Sequence, residues 1–505
     1  MNNSIPSAVP LISYIESEAQ APFSQEGTIL HKGRLMTRLK LGEDSRFYVA
    51  ARVVKWYDLI GYVIGKIGEK LNFYAEFKNG HDTVFVSIES LSQRLYISKA
   101  KIQKAAKNGT LPALLEQRAQ DIAPIIATYE KIINKFGDKS RTGLLLKTLM
   151  KTIRTAMRVE PFGYRQIKIA NCFYQIGFDK NKKEIELFTF YDVLEQGSYG
   201  EIRLIKHVFN ATREVFKQAR IDIKKKTKAL ADIKNEYNQL RYIHANGKVW
   251  GIQAPPRQIV QIEEDGNIRY GHIGLEYETT YESDLESKGI TKFEDQLTDF
   301  YSIIFGLKEL AERHIIHGDL KHRNILVKRE SDGTKLVHLA DFGGSRQVSN
   351  IFSLNIKDLA GANQSRSFTS SFSSFDDLVL GNKLADEGNV TELIELEKKR
   401  DVFFIGFVLH YATTAEYPFS FLEIDANEFP DMSRYKQINH PDVPPEIKEL
   451  IASMLVPDYK KRPSAQEVFV QYNHFLKNNH PHIYQKILEK IQKDYPGSNL
   501  KLMNL

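Results

Sequence analysis

One stretch constrains this chain more than any other. It runs His317-Gly318-Asp319-Leu320-Lys321-His322-Arg323-Asn324, then Ile325-Leu326-Val327, a turn at Ser331-Asp332-Gly333, Leu336-Val337-His338-Leu339 and Asp341-Phe342-Gly343. Two short apolar runs separated by a glycine turn predict a β-hairpin. A polar loop enters the hairpin and an aspartate leaves it, so the fold brings Asp319, Lys321, Asn324 and Asp341 close together. Two carboxylates, an amide and an ammonium facing one cleft suit metal-assisted phosphoryl transfer.

The same string resembles the catalytic loop of the protein kinases, H-R-D-L-K-x-x-N, followed by D-F-G. His317, Asp319, Leu320, Lys321 and Asn324 match, and Gly318 stands where the family has arginine. The resemblance implies Asp319 as catalytic base, Lys321 as a phosphate-facing cation, and Asn324 and Asp341 as Mg2+ ligands. A lone H-x-D is a cheap match; the whole string with Asp-Phe-Gly is not.

Upstream, Leu194-Glu195-Gln196-Gly197-Ser198-Tyr199-Gly200-Glu201-Ile202 resembles the family's glycine-rich ATP loop, with Glu195 in place of the first glycine. Glycines there let backbone N–H groups approach phosphates. Gly197, Gly200 and Ile202 are the implied contacts. Lys217 follows Gly200 by seventeen residues in Glu214-Val215-Phe216-Lys217, similar to the V-A-I-K strand. Glu236 follows nineteen residues later in a helical stretch. A Lys217–Glu236 ion pair would aim the ammonium at the α- and β-phosphates. Ile273-Gly274-Leu275-Glu276-Tyr277 resembles the hinge, with Leu275 at the gatekeeper position and the backbone of Glu276 to Glu278 meeting adenine.

Downstream, Leu297 to Arg313 is amphipathic and predicts a helix leading into the catalytic loop. Thr369 to Asp376 sits where the family has T-P-x-Y-x-A-P-E. The resemblance implies Thr369 as partner of Lys321 and Asp319, and Asp376 as a structural acid paired with Arg462 of Lys461-Arg462-Pro463-Ser464. Asp401-Val402-Phe403-Phe404-Ile405-Gly406 resembles D-V-W-S-L-G, a buried helix whose Asp401 would hold the catalytic-loop backbone. An insert is expected around Gly388 to Lys399.

The N-terminal third is different in character. Residues 1–180 carry 27 Lys+Arg against 16 Asp+Glu, a balance of +11, whereas the rest of the chain is at −4. Such a segment suits an acidic partner or a membrane surface, or simply a solvated basic face. Residues 1–45 are expected to be a partly disordered arm, and 46–185 a mainly α-helical accessory domain. Phe47 to Phe73 shows helical periodicity through Val49, Val53, Trp56, Leu59, Ile60 and Val63. Thr83 to Ile88 reads as a strand, and Ser90 to Lys107 as two short helices ending at Asn108-Gly109. Leu91 to Lys99 faintly resembles a helix-turn-helix; with no symmetric partner in sight, no nucleic-acid binding is expected. Arg141 to Val159 predicts a basic amphipathic helix, and Gln166 to Phe190 a hairpin. No apolar run reaches the roughly 18 residues of a membrane span, and Met1 to Gln20 lacks the basic start of a secretory signal. The single cysteine, Cys172, excludes an intrachain disulfide and fits a reducing compartment.

The expected architecture is α+β. A bilobal protein-kinase fold spans 186–478, with a β-rich N-lobe and a helical C-lobe, preceded by the helical domain and followed by a helix and tail at 479–505. The implied activity is Mg2+-dependent transfer of the γ-phosphoryl group of ATP to a serine or threonine of a protein substrate. Gly318 removes the arginine that would read a phosphate on the activation loop, so activity independent of that phosphorylation is expected. Two rivals stand beside it. His-Gly-Asp also resembles aminoglycoside and choline phosphotransferases, and the divergent glycine loop suits a pseudokinase scaffold. Localisation is expected to be cytoplasmic, with secretion into a host cell if the chain is a bacterial effector.

Overall fold

A computed structural model describes residues 28–31, 34–39, 47–54, 74–79, 82–89, 92, 97–136, 148–149, 151–152, 162–169, 172–179, 184–196, 200–219, 226–264, 267–288, 292–330, 333–348, 375–424 and 427–498. The chain forms two units. One holds residues 1–189 with 207–211 and 262–266; the other holds 190–206, 212–261 and 267–505.

In the first unit, β1 (Thr28–His31), β2 (Arg34–Leu39), β3 (Phe47–Val54), β4 (Tyr74–Asn79) and β5 (Asp82–Ser87) form an antiparallel sheet of order β1-β2-β3-β5-β4. This corrects the mainly helical expectation. Phe47–Val54 is a strand paired through Ala51↔Val86 and Val53↔Val84. Its aromatic and β-branched residues suit a pleated surface, and Val49 and Val53 satisfy helix and strand spacing alike. Residues 55–73 lie outside the described residues. Two strands also fall within the stretch expected to be a disordered arm.

Helix α1 (Lys99–Lys107) starts at Ser98, whose hydroxyl accepts the Lys101 amide, and stops at Asn108 before Gly109 at φ +69°. Helix α2 spans Leu111–Phe136. Most of the expected basic helix at 141–159 lies outside the described residues. Strands β6 (Phe162–Ile169) and β7 (Cys172–Asp179) make one hairpin, and β7 pairs onward with β8 (Glu184–Gln196), giving two hairpins where one was expected. Tyr164 lies over Gly177, where any Cβ would collide with its ring, and donates its hydroxyl to buried Glu186 at 2.6 Å.

The second unit carries the kinase-like motifs. Strands β9 (Gly200–His207), β10 (Arg213–Ala219) and β12 (Asn267–Leu275) are antiparallel neighbours, with β11 (Gln258–Glu264) between β10 and β12 in sequence. Helix α3 (Lys226–Ile243) follows β10. After β13 (Thr279–Thr280) come α4 (Tyr281–Lys288) and α5 (Phe293–Glu312), the latter buried along most of its length. Strand β14 (Ile315–Ile316) leads into the catalytic loop, and β15 (Ile325–Arg329) pairs with β16 (Lys335–Leu339) as the expected hairpin. Strand β17 (Arg346–Gln347) pairs with β14.

Helix α6 (Phe375–Asp386) precedes α7 (Val390–Thr414). The insert near 388–399 forms the turn at Gly388 and the first turns of α7, where Leu393, Ile394 and Leu396 pack with Leu384, Ala385, Ile316 and Tyr459. A small hairpin, β18 (Phe421–Ile424) with β19 (Asn427–Pro430), leads to α8 (Pro445–Met454), α9 (Ala465–Asn479) and α10 (Pro481–Asp494). Helix α9 opens with a full capping box between Ser464 and Glu467. One core joins α5, α7, α9, α10 and the β15–β16 hairpin through Phe300, Tyr301, Phe305, Phe403, Phe407, Phe469 and Tyr472. Burying large rings at about 25 cal/mol per Å² of apolar surface makes this the main source of rigidity beneath the catalytic loop.

Candidate active site

The catalytic loop is held from below by Asp401 of α7. Its two carboxylate oxygens accept the backbone amides of His317 at 2.7 Å and Gly318 at 2.8 Å. Gly318 takes a φ of +79°, the left-handed region where a side chain is strained, and this backbone turn aims both amides at one carboxylate. Burial pushes the Asp401 carboxyl up to about 7, against the pull of the two amides. The buried His317 ring lies 4.8 Å from Phe342, and its Nε2 sits 2.9 Å from the Ala340 carbonyl. Burial lowers its pKa, so the ring is neutral and carries its hydrogen on Nε2. Its Nδ1 faces the Asp319 amide at 3.4 Å.

Asp319 is gripped from two sides. Lys321 donates to its Oδ2 at 2.9 Å. Asn324 donates to the same oxygen at 3.0 Å and to the Asp319 carbonyl at 2.7 Å. Burial raises the Asp319 pKa while Lys321 opposes it, which moves the carboxylate toward useful basicity. Asn324 ends a single 3-10 turn, His322–Asn324, and its carbonyl accepts the Ala340 amide at 2.8 Å, which ties the loop to the end of the hairpin.

Above the loop, Lys217 on β10 meets Glu236 on α3 at 2.9 Å and Asp341 at 2.6 Å. Burial pulls the Lys217 pKa down, but the two carboxylates outweigh it and hold the ammonium charged. Burial would likewise raise Glu236; Lys217 and His272 outweigh it and keep it ionised. His272 Nε2 lies 3.2 Å from Glu236 Oε2, a contact the sequence reading missed because no family motif marks it. The register shows its place: His272 is the cross-strand partner of Lys217 and so shares its face. Ile202 is the partner of Lys217 on the other side and shares the face too. Asp341 adopts a left-handed backbone, φ +65°, a conformation aspartate tolerates better than most side chains. Asn235 of α3 donates to the carbonyls of Gly343 at 3.0 Å and Ser345 at 3.1 Å, tying the helix to the Asp-Phe-Gly turn.

Two expectations are corrected. Leu275 pairs with Glu214, not with a residue on the Lys217 face, and is 43% exposed. The residue on the Lys217 face is Gly274, partner of Val215, and only Pro256 lies within 4 Å of where its Cβ would stand. Of the hinge, Glu276 is ion-paired to Arg213 at 2.5 Å, and the hydroxyl of the half-buried Tyr277 accepts the Ala254 amide at 3.0 Å. The Glu278 amide already donates to the Val327 carbonyl at 2.9 Å. The second correction concerns the acid for Arg462, which is Asp377 at 2.7 Å. Asp376 precedes it on α6 and faces solvent. Gly197 and Thr369 lie outside the described residues; Gly200 opens β9 opposite Ala219.

The donor set fits a magnesium ion carried by nucleotide. No cluster of three or more His, Cys, Asp or Glu suited to a metal occurs among the described residues. Mg2+ needs few protein ligands when phosphates and water complete its shell, and Asp341 with the Asn324 amide oxygen supplies the hard oxygens it prefers. A family model described as Protein kinase domain matches residues 188–473. This chain belongs to the protein kinase family.

Relatives are distant. A putative serine/threonine-protein kinase of Acanthamoeba polyphaga mimivirus is 25% identical over 323 residues, 59% of this chain and 54% of that protein. The SNF1-like protein kinase ssp2 of Schizosaccharomyces pombe is 25% identical over 330 residues, 63% of this chain and 49% of the relative. The serine/threonine-protein kinase/endoribonuclease IRE1a of Arabidopsis thaliana is 31% identical over 172 residues, 33% of this chain and 18% of the relative. The chain thus spans at most about half the length of these kinases.

Proposed function

We propose that this protein kinase transfers the γ-phosphoryl group of ATP to serine or threonine hydroxyls of protein substrates. The observation that carries the reading is the grip on Asp319: one carboxylate oxygen receives both Lys321 and Asn324, which fixes the other toward an incoming hydroxyl. Asp319 then orients the hydroxyl and accepts its proton as the oxygen attacks phosphorus. Lys217, steadied by Glu236, binds the phosphates of the nucleotide. Lys321 neutralises charge growing on the transferred group. Magnesium, held by Asn324 and Asp341 when bound, supplies Lewis-acid stabilisation of the phosphate oxygens. The serine/threonine assignment is supported by Lys321 within Asp-Leu-Lys and by the names of the relatives.

Gly318 supplies no arginine ahead of Asp319 to read a phosphorylated loop, so the kinase is active without that modification. The basic N-terminal third serves targeting or regulation, through an acidic partner or an anionic membrane surface. No helix among the described residues is long and apolar enough to cross a membrane.

The test is phosphate incorporation from ATP into a generic protein substrate and into the kinase itself, wild type against Asp319→Asn, followed by phosphoamino-acid analysis. Phosphoserine and phosphothreonine from wild type alone support the reading. Equal signals from both chains would leave a scaffold, and phosphorylation confined to small molecules would leave a metabolite kinase.

A further inference from the structure

The stretch Tyr495–Ser498, which follows α10, does not hang free of its unit. It binds the loop that follows α3, residues 244–253. The Gly497 amide donates to the Lys248 carbonyl at 2.9 Å, and the Trp250 amide donates to the Ser498 hydroxyl at 2.9 Å. Tyr495 places its ring edge-on to Trp250 at 5.0 Å. Arg313, at the end of α5, donates to the Gly497 carbonyl at 2.8 Å. The approach is so close that a Cβ on Gly497 would run into the Gly247 carbonyl oxygen.

The gripped loop is the joint between both halves of the nucleotide site. On one side it ends α3, whose Glu236 lies two turns before Ile243, roughly 10 Å along the helix. Leu240 and Ile243 of α3 share one buried core with Val249, Trp250, Ile491 and Tyr495. On the other side, the Leu339 amide donates to the Gly251 carbonyl at 2.8 Å and the Gln253 amide to the Leu339 carbonyl at 2.9 Å. Leu339 closes the strand that delivers Asp341. The loop also docks on α5, where Gly251 and Gly306 meet backbone to backbone with no room for side chains. Helix α5 and the C-terminal segment therefore clasp it between them.

We propose that Tyr495–Ser498 is a positioning strap for the nucleotide site: by clasping the 244–253 loop against α5, it keeps Glu236 within reach of Lys217 and fixes where Asp341 is delivered. The strap touches no substrate and acts through α3. This rests on the kinase reading above, and it adds a dependence of that site on the far end of the chain.

The test uses the full chain with Gly497→Val, with Ser498→Ala, and ending at Asp494. Three readouts are taken together: kcat and KM for ATP, amide hydrogen exchange across 236–250, and thermal melting. A misplacement of catalytic groups by about 1 Å costs up to about a hundredfold in rate. Gly497→Val and the shortened chain are therefore expected to lose about tenfold or more in kcat, with faster exchange across 236–250. A synthetic peptide of residues 495–505 added to the shortened chain is expected to restore both. Folded variants with wild-type kcat, or with lost activity but unchanged exchange at 236–250, would overturn the strap. If the larger changes prevent folding, Ser498→Ala decides alone: the Trp250 amide must exchange faster and kcat must fall about twofold or more. Wild-type activity no higher than that of Asp319→Asn would sink the kinase reading instead, and the exchange data would still report on the strap.

Discussion

Arg462 and Asp377 form a fully buried ion pair, Nη1 to Oδ2 at 2.7 Å, beneath the end of the activation segment. Arg462 spends its other donors on the Val456 carbonyl at 2.7 Å and the Pro457 carbonyl at 2.9 Å, and its guanidinium lies 4.5 Å from the Phe403 ring. Each of the three guanidinium nitrogens thus has a hydrogen-bond partner, and such added bonds are what let a buried pair be tolerated. Asp377→Ala leaves the guanidinium uncompensated and is expected to cost about 3–5 kcal/mol. The neighbouring Asp376→Ala is expected to stay within about 0.5 kcal/mol of wild type. Urea unfolding of both variants checks the contrast, and equal losses would return the pairing to Asp376.

Asp319→Asn keeps the hydrogen bond from Lys321 possible but removes the base. We expect kcat to fall by about 10²–10⁴-fold with the affinity for ATP little changed. Lys217→Met is expected to act on ATP binding as well, since it leaves Glu236 and Asp341 facing each other without their shared cation. Steady-state kinetics with isothermal titration of ATP separates the two; a Lys217→Met enzyme with unaltered ATP affinity would contradict the assignment.

The pH profile follows from Asp401. Its folded pKa, about 7, lies above the roughly 3.9 of an unfolded aspartate. The folded state therefore holds the proton more tightly, and this group's contribution to stability rises as pH falls from about 7 toward 4. Activity moves the other way, because a protonated carboxyl loses its charge-assisted grip on the His317 and Gly318 amides. We expect kcat to decline through an ionisation near pH 7 without a parallel drop in melting temperature. Asp401→Asn should be weakly active and lose that ionisation, leaving the one belonging to Asp319. A wild-type kcat that is flat from pH 8 to 6 would exclude this origin.

Which face of β12 meets nucleotide on the proposed reading can be tested by substitution. Gly274→Leu adds four carbons on the Lys217 face, where only Pro256 lies within 4 Å of the Cβ position, and is expected to raise KM for ATP several-fold, on the order of 1 kcal/mol of lost binding. Leu275→Ala, on the exposed face, is expected to change KM less than twofold. The reverse ranking would restore Leu275 to the pocket.

These particulars show where sequence reasoning is strong and where it slips. The β15–β16 hairpin was legible because two apolar runs flank a glycine turn, and Lys217 with Glu236 because their stretches resemble the family's lysine strand and following helix at the usual spacing. The misses at Leu275 and Asp376 are each a single position. A one-residue slip flips every side chain of a strand to the other face, and neighbours on a helix point about 100° apart. Spacing alone does not tell which of two neighbours faces inward. His272 was invisible because only the cross-strand register brings it to Glu236. At Phe47–Val54, Val49 and Val53 fit both periods, and the β-branched composition was the better guide.

The ammonium of Lys217 already bridges Glu236 and Asp341. A bare divalent cation approaching the other oxygen of Asp341 must therefore sit beside a bonded positive charge. A cation arriving already wrapped in triphosphate brings the anion that draws the lysine away. On the proposed kinase reading, a divalent cation and nucleotide therefore enter the cleft more readily together than the bare cation does alone.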